Sequence, residues 1–373
     1  MSIYLCIALG AAALAYIGQR FHESLFVVGV LFMLASALLY CYFAGVRSVN
    51  VGTDTAGYGL GSYYAAKGQS FDYFYSFSIY KEWGSLFKVL CWGSTTLGGS
   101  FFWYLFAIQA ATVIPLYAAL YKGARDHLAF GVFFYGVVFY PMSFNMMRQM
   151  IAMSFLLLAF IGANDRKPLS FAIWLIVAVL FHKSALVGIC IYPLTVYCSA
   201  KGKMFGRDVR VALTLLVCTC ALALAPKILS IADTIGFYSD YISGSAVTSA
   251  GSWRPIVLTA AVFGLLLGIG LILRSRRQMK VRVSLSGILI CIVFGIICLP
   301  LSRISNWLYR IGFYYIYLAV LALPNTLYVI EQRNARLLFI FMAAVSLLIW
   351  SYDYYCISLS HEVIPYVMSI SNL

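Results

Sequence analysis

Val283-Ser-Leu-Ser-Gly-Ile-Leu-Ile-Cys-Ile-Val-Phe-Gly-Ile-Ile-Cys-Leu-Pro300 runs for eighteen residues without a charge. At about 1.5 Å per residue such a helix nearly crosses the ~30 Å of hydrocarbon in a bilayer. No water is available there to satisfy the backbone, so the segment has to bond internally as a helix. Outward from it, comparable apolar runs fall near 3–19, 25–45, 101–121, 127–142, 146–163, 168–181, 184–200, 209–226, 255–273, 311–330 and 337–352. Together they predict an all-α, polytopic integral membrane protein of about twelve helices (range 10–14), with 1–373 as a single transmembrane domain. Composition agrees: 63% of the residues are hydrophobic, 10% are charged and the mean hydropathy is +0.91. A soluble chain of this size would have to expose most of that apolar surface. The first run lacks a basic leading region and a small-residue cleavage site, and reads as a retained helix.

Two longer connections interrupt the pattern. Residues 46–98 combine a polar, aromatic-rich loop (46–83) with an amphipathic stretch near 84–98 suited to the membrane interface, and 227–254 forms a second loop. Loop charges set the orientation. Arg20, Lys122, Arg125, Arg166, Lys167, Lys201, Lys203, Arg207, Arg210, Arg274, Arg276, Arg277, Lys280, Arg282, Arg333 and Arg336 share one side, which is therefore cytoplasmic. Both long loops then face outward. The net charge of +14 follows from this bias and from anionic headgroups, so nucleic acid is not a partner whereas membrane lipids are. The ten Cys lie mainly in apolar runs and read as small buried hydrophobes.

The remaining ten cations lie on the outer side, against the topological bias. Three hold one position: Arg148 (in Asn145-Met-Met-Arg-Gln149), Lys183 (in Phe181-His-Lys-Ser184) and Arg310 (in Leu308-Tyr-Arg-Ile311) each open an apolar run. A cation at a helix N-terminus opposes the helix dipole by roughly 0.3–1 kcal/mol, while the free N–H groups there favour an anion. Cations gathered at such termini suit a phosphate or pyrophosphate. The planar guanidinium fork, also present at Arg303, matches its oxygens. Interfacial anchoring is the alternative reading.

Asp54 lies in Arg47-Ser-Val-Asn-Val-Gly-Thr-Asp-Thr-Ala-Gly-Tyr58 between two glycines, where it would accept a proton from a sugar hydroxyl or orient an arginine. Glu82 is a second acidic candidate on the same face. His182 closes an apolar run and reads as a phosphate donor, a proton shuttle or a structural histidine. No ligand spacing links His22, His127, His182 and His361, so no metal and no cofactor is expected. Neither a nucleotide-binding Gly loop nor a Ser-His-Asp order is present.

Taken together, Arg47…Gly52-Thr-Asp54-Thr…Tyr58, Glu82-Trp-Gly84, Arg148-Gln149-Met-Ile-Ala152, Phe181-His182-Lys-Ser184-Ala-Leu186 and Arg310-Ile…Tyr314-Tyr315…Pro324 resemble the EpsG-like branch of Wzy-type bacterial polysaccharide polymerases. The resemblance implies a fold like that of lipid-donor (GT-C-like) glycosyltransferases in the bacterial inner membrane, with chemistry at the periplasmic face. It also implies an undecaprenyl-pyrophosphate-linked oligosaccharide as substrate, its polyprenyl tails held in apolar grooves, and admits a chain-length regulator protein as partner. In that scheme Arg148, Arg303 and Arg310 stabilise the departing pyrophosphate, His182 hydrogen-bonds or protonates it, and Asp54 or Glu82 activates the acceptor. Arg47, Tyr58, Asn145, Gln149, Lys183 and Tyr314 contact substrate. The competing functions are a polysaccharide ligase, an intramembrane acyltransferase and, outside enzymes, a flippase for the lipid-linked unit. A flippase should carry charge through the bilayer centre, whereas here charge gathers at span ends.

Overall fold

The computed structural model describes residues 1–77, 79–80, 82–199, 252–272, 282–303 and 308–369. The expected span at 209–226, nearly all of the 227–254 loop and the side chain of Arg303 lie outside the described residues. Among those described the protein is all-α, without a strand.

Eleven of the twelve apolar runs fall on described residues, and each coincides with helix. The long helices are α1 (Ser2–Phe21), α2 (Phe26–Gly45), α5 (Phe101–Ala124), α7 (Met147–Asn164), α10 (Trp253–Ile272), α11 (Leu285–Cys298, continued by a 3-10 helix to Arg303) and α14 (Arg333–Tyr352). Shorter ones are α3 (Leu60–Ala66), α4 (Ser85–Gly98), α6 (Leu128–Phe134), α8 (Pro168–Phe181), α9 (Ile191–Ser199), α12 (Tyr309–Ile316) and α13 (Ala319–Val329). Two expected spans are broken. The run 184–200 begins as a 3-10 helix, Lys183–Cys190, before α9, and 311–330 divides into α12 and α13.

From Phe101 to Phe139 the chain is continuously helical, but Lys122, Arg125 and Asp126 divide it into two crossings. The Gln109 amide donates to the Tyr135 hydroxyl at 2.7 Å. In one straight helix those residues would be roughly 39 Å apart, so α6 folds back along α5.

A helix facing lipid has no reason to hide its apolar side chains, and the exposure pattern follows that rule. On α2, Val27, Leu31, Leu34 and Leu38 stand outward at helical spacing, each more than half exposed. By contrast α7 and the α12–α13 pair are almost wholly enclosed and form the interior of the bundle.

Among the described residues, the chain direction of successive helices divides the charges between the two ends of the bundle. At one end His22 bonds Tyr121 at 2.7 Å, Arg125 pairs with Glu23 at 3.6 Å, and Arg282 approaches Asp126 at 3.8 Å. The other end gathers the 46–84 loop, the starts of α7, α10 and α12, and the C-terminal segment after α14. There Ser48 N–H donates to Val367 at 2.8 Å, Gly52 N–H to Glu362 at 3.0 Å, and Arg254 pairs with Asp353.

Candidate active site

Two glycines let this second end close. A Cβ on Gly52, whose φ is +87°, would lie 2.8 Å from the Phe144 carbonyl oxygen. The turn Gly52-Thr-Asp54 therefore rests directly on the approach to α7. A Cβ on Gly84 would lie 2.3 Å from the Leu180 carbonyl oxygen and 2.7 Å from that of Phe181. Glu82-Trp-Gly84 and Phe181-His182, far apart in sequence, are thus one packed unit.

Arg148 is the second residue of α7 and Arg310 the second of α12, while Lys183 opens the 3-10 segment, so the expected helix-start positions are met. One amide joins the first two starts: Gln149 Nε2 donates to the Arg310 carbonyl at 2.8 Å. The Arg148 guanidinium packs on rings, its carbon 4.5 Å from the Trp83 centroid and 5.1 Å from that of Tyr58. Those rings meet edge to face at 5.2 Å, which holds a cation in place without neutralising it.

Asp54 faces both arginines. Burial dominates its environment and holds its carboxyl above the ordinary 3.8, although Arg310, a hydrogen bond from Tyr58, and Arg148 each pull it down. A carboxylate made more basic in this way is a better proton acceptor at neutral pH. Tyr58 lies between Asp54 and Arg148. Its hydroxyl is pushed far up by burial first and by the Asp54 charge next, so it keeps its proton and donates to Asp54. His182 is pushed down to about 3, by burial first and then by Arg148 and Arg310. Its imidazole is therefore neutral at pH 7. It can hydrogen-bond an anion there but carries no spare proton in the resting state, which narrows the role expected for it.

Several expected substrate contacts turn elsewhere. Arg47 is 2% exposed, bonds the Ala44 carbonyl at 2.5 Å and the Thr55 hydroxyl at 3.3 Å, and lies over the Phe144 ring. Burial lowers it to about 10, so it is still charged, as an internal brace under the Asp54 turn. Tyr314, 2% exposed, shares a hydrogen bond with Ser184 at 2.7 Å and ties α12 to the segment after His182. Glu82 and Lys183 pair with each other at 3.3 Å, with side chains 77% and 56% exposed. Such a surface pair contributes little energy, and it leaves neither charge directed at Asp54.

Asn145 is likewise internal, but it leads to a residue that sequence reasoning missed. Its Oδ1 accepts from Asp54 N–H at 3.0 Å and from the Thr53 hydroxyl. Its Nδ2 meets His361 Nδ1 at 2.5 Å, and His361 Nε2 lies 3.3 Å from the Tyr354 hydroxyl. His361 stands in a sharp turn in which Leu359, His361 and Glu362 all have positive φ. Three non-glycine residues in that region store strain of about 1–3 kcal/mol each, a pattern concentrated at functional sites. The sequence signal was slight: a polar Ser-His-Glu triplet between the last apolar run and Ile364-Pro365. Thr53, Asn145, Arg310 and His361 also line a cavity of about 630 Å³, whose other walls come from the starts of α10 and α12, the 3-10 turn after α11 and the chain from Tyr354 to Glu362.

Helices of this kind, with a buried carboxylate and two helix-start arginines gathered at one end, define a multi-pass membrane protein with a charged candidate site. The EpsG family model matches residues 30–368, and the chain belongs to the EpsG family. Its role is accordingly of the polysaccharide-polymerase type, in polysaccharide biosynthesis at a membrane. No curated protein and no solved structure matched the chain.

Proposed function

We infer that this protein transfers a growing glycan from undecaprenyl pyrophosphate to the non-reducing end of a lipid-linked repeat unit, at the periplasmic face of the bacterial inner membrane. The observation that carries the reading is the Gln149 bond, which brings the starts of α7 and α12 together with Asp54 facing both arginines. The scissile bond joins the anomeric carbon to a pyrophosphate oxygen, and negative charge grows on that oxygen as it leaves. Arg148 and Arg310, with the open N–H groups of two helix ends, receive that charge. Asp54 takes the proton from the acceptor hydroxyl as the new glycosidic bond forms. His182 donates a hydrogen bond to the departing phosphate. Because fixed cations supply the charge, the transfer proceeds without a divalent metal.

In cells, Arg148→Ala should leave protein abundance normal and abolish long polymer, so that single lipid-linked repeat units accumulate. Removing one charge-stabilising donor of this kind costs about 10²–10³ in rate. Arg148→Lys should recover only part of the loss, because an ammonium lacks the guanidinium fork. Normal polymer from the Lys variant would show that a point charge suffices and would refute the clamp. Long unattached chains in place of single units would assign the protein as a ligase. Units trapped on the cytoplasmic side would assign it as a flippase.

A further inference from the structure

The cavity of about 630 Å³ is lined largely by hydroxyls and rings, among them Ser302, Tyr309, Tyr354, Ser360 and His361, with Arg310 at one wall. Its size lies within the ~300–1,000 Å³ of pockets that enclose ligands of a few rings. A polyprenyl tail would leave those polar groups unbonded, which disfavours it.

One backbone group fixes the direction of the hydrogen bonds at its wall. Asp54 N–H can only donate, so the Asn145 atom it meets is oxygen, and Asn145 Nδ2 must face His361. Nδ2 in turn only donates, so His361 Nδ1 carries no proton and Nε2–H points to the Tyr354 oxygen. That leaves the Tyr354 hydroxyl proton for its hydrogen bond with Tyr309. The Tyr309 oxygen accepts that bond, and its own proton remains to be given to a partner in the cavity it lines. The bonds run one way, from the backbone of Asp54 to a single hydroxyl donor.

We propose that this cavity is a carbohydrate subsite for the non-reducing end of the acceptor repeat unit, with Tyr309 as a donor to one of its ring or hydroxyl oxygens. The inference rests on the polymerase reading above. A pocket of this volume suits the end of a short repeat unit, whereas a growing chain needs a continuous groove. Thr53 and Asn145, lining the cavity and bonded to each other beside Asp54, put the acceptor hydroxyl within the base's neighbourhood. Tyr309 thus selects an acceptor by whether an oxygen meets its donor, and a sugar lacking that oxygen leaves it unbonded.

The test uses the oligosaccharide released by mild acid from the lipid-linked units that accumulate with Arg148→Ala. Its binding to full-length protein in nanodiscs is measured calorimetrically. Wild type and Arg148→Ala should bind the free oligosaccharide alike, while Tyr309→Phe should weaken it about five- to tenfold, the loss of one hydrogen bond. In turnover, Tyr309→Phe should raise the KM for acceptor and leave that for donor unchanged. No binding to wild type, or equal binding by Tyr309→Phe, would overturn the subsite. If Arg148→Ala accumulates no single units, the polymerase reading itself fails and takes this inference with it. Accumulation without any effect of Tyr309→Phe refutes the subsite alone.

Discussion

Asp54 illustrates how one side chain's environment sets its chemistry. Burial raises its pKa, and Arg310 and Arg148 oppose the rise without cancelling it. The base works only when ionised, so activity should be lost as pH falls through a value above the ordinary 3.8. The acid limb of kcat/KM against pH reports that value. Because Arg148 lowers the Asp54 pKa, the residual activity of Arg148→Gln should show the limb moved to higher pH. A limb unmoved by Arg148→Gln would remove Asp54 from the role of base. His361 allows a second check at this scale. The chain has four histidines, so nitrogen-15 labelling of histidine gives few signals, and His361→Gln assigns one. That imidazole, pushed down to about 3 by burial and then Arg310, should be neutral at pH 5 with its proton on Nε2. An imidazolium at pH 5, or a proton on Nδ1, would break the chain that orients Tyr309. Sequence reasoning named Asp54, Arg148, His182 and Arg310, which the fold brings into one electrostatic neighbourhood. It did not foresee that Arg47 and Tyr314 turn inward, because that is decided by tertiary packing, which leaves no mark on local spacing.

Among the elements, the starts of α7 and α12 matter most, and their joint is narrow. Gln149→Ala removes one side-chain donor to the Arg310 carbonyl, at a cost of about 0.5–1.5 kcal/mol. Activity should fall further than stability does, since the two arginines then lose their common frame. Comparing kcat with thermal unfolding in detergent separates the effects, and a fall in stability with unchanged kcat would make the bond merely structural. The packing of Glu82-Trp-Gly84 on Leu180 and Phe181 offers a parallel case. Gly84→Ala drives a Cβ into two carbonyl oxygens and should destabilise by about 1–3 kcal/mol. It should also loosen Trp83 from Arg148. A neutral Gly84→Ala would mean that the contact gives way freely. The helices themselves were legible because lipid demands long apolar runs. The break between α12 and α13 was not, because Tyr317 and Leu318 are as apolar as their neighbours and only packing decides where the chain bends.

For the whole molecule, the described charges fall at two ends, and the sequence assigns 16 of the 26 Lys and Arg to the side opposite the site. By the positive-inside rule we propose that the site faces away from the cytoplasm. A cysteine at Gln69 should react with a membrane-impermeant reagent added to the periplasmic side, and one at Asn334 should not, after subtraction of labelling on native thiols. The reverse pattern would make Arg148 and Arg310 ordinary cytoplasmic cations and remove their need for an anion.

The central claim is that Arg148 and Arg310, beside Asp54, supply the charge that leaving pyrophosphate requires. Its most direct test is polymer synthesis by the purified protein in liposomes, with lipid-pyrophosphate repeat units as the only substrate and EDTA in excess. Wild type should form long polymer under these conditions, and Arg148→Ala should form none while still binding the substrate. Complete loss of wild-type activity in EDTA, restored by Mg²⁺ or Mn²⁺, would contradict the account and transfer the charge from the arginines to a metal.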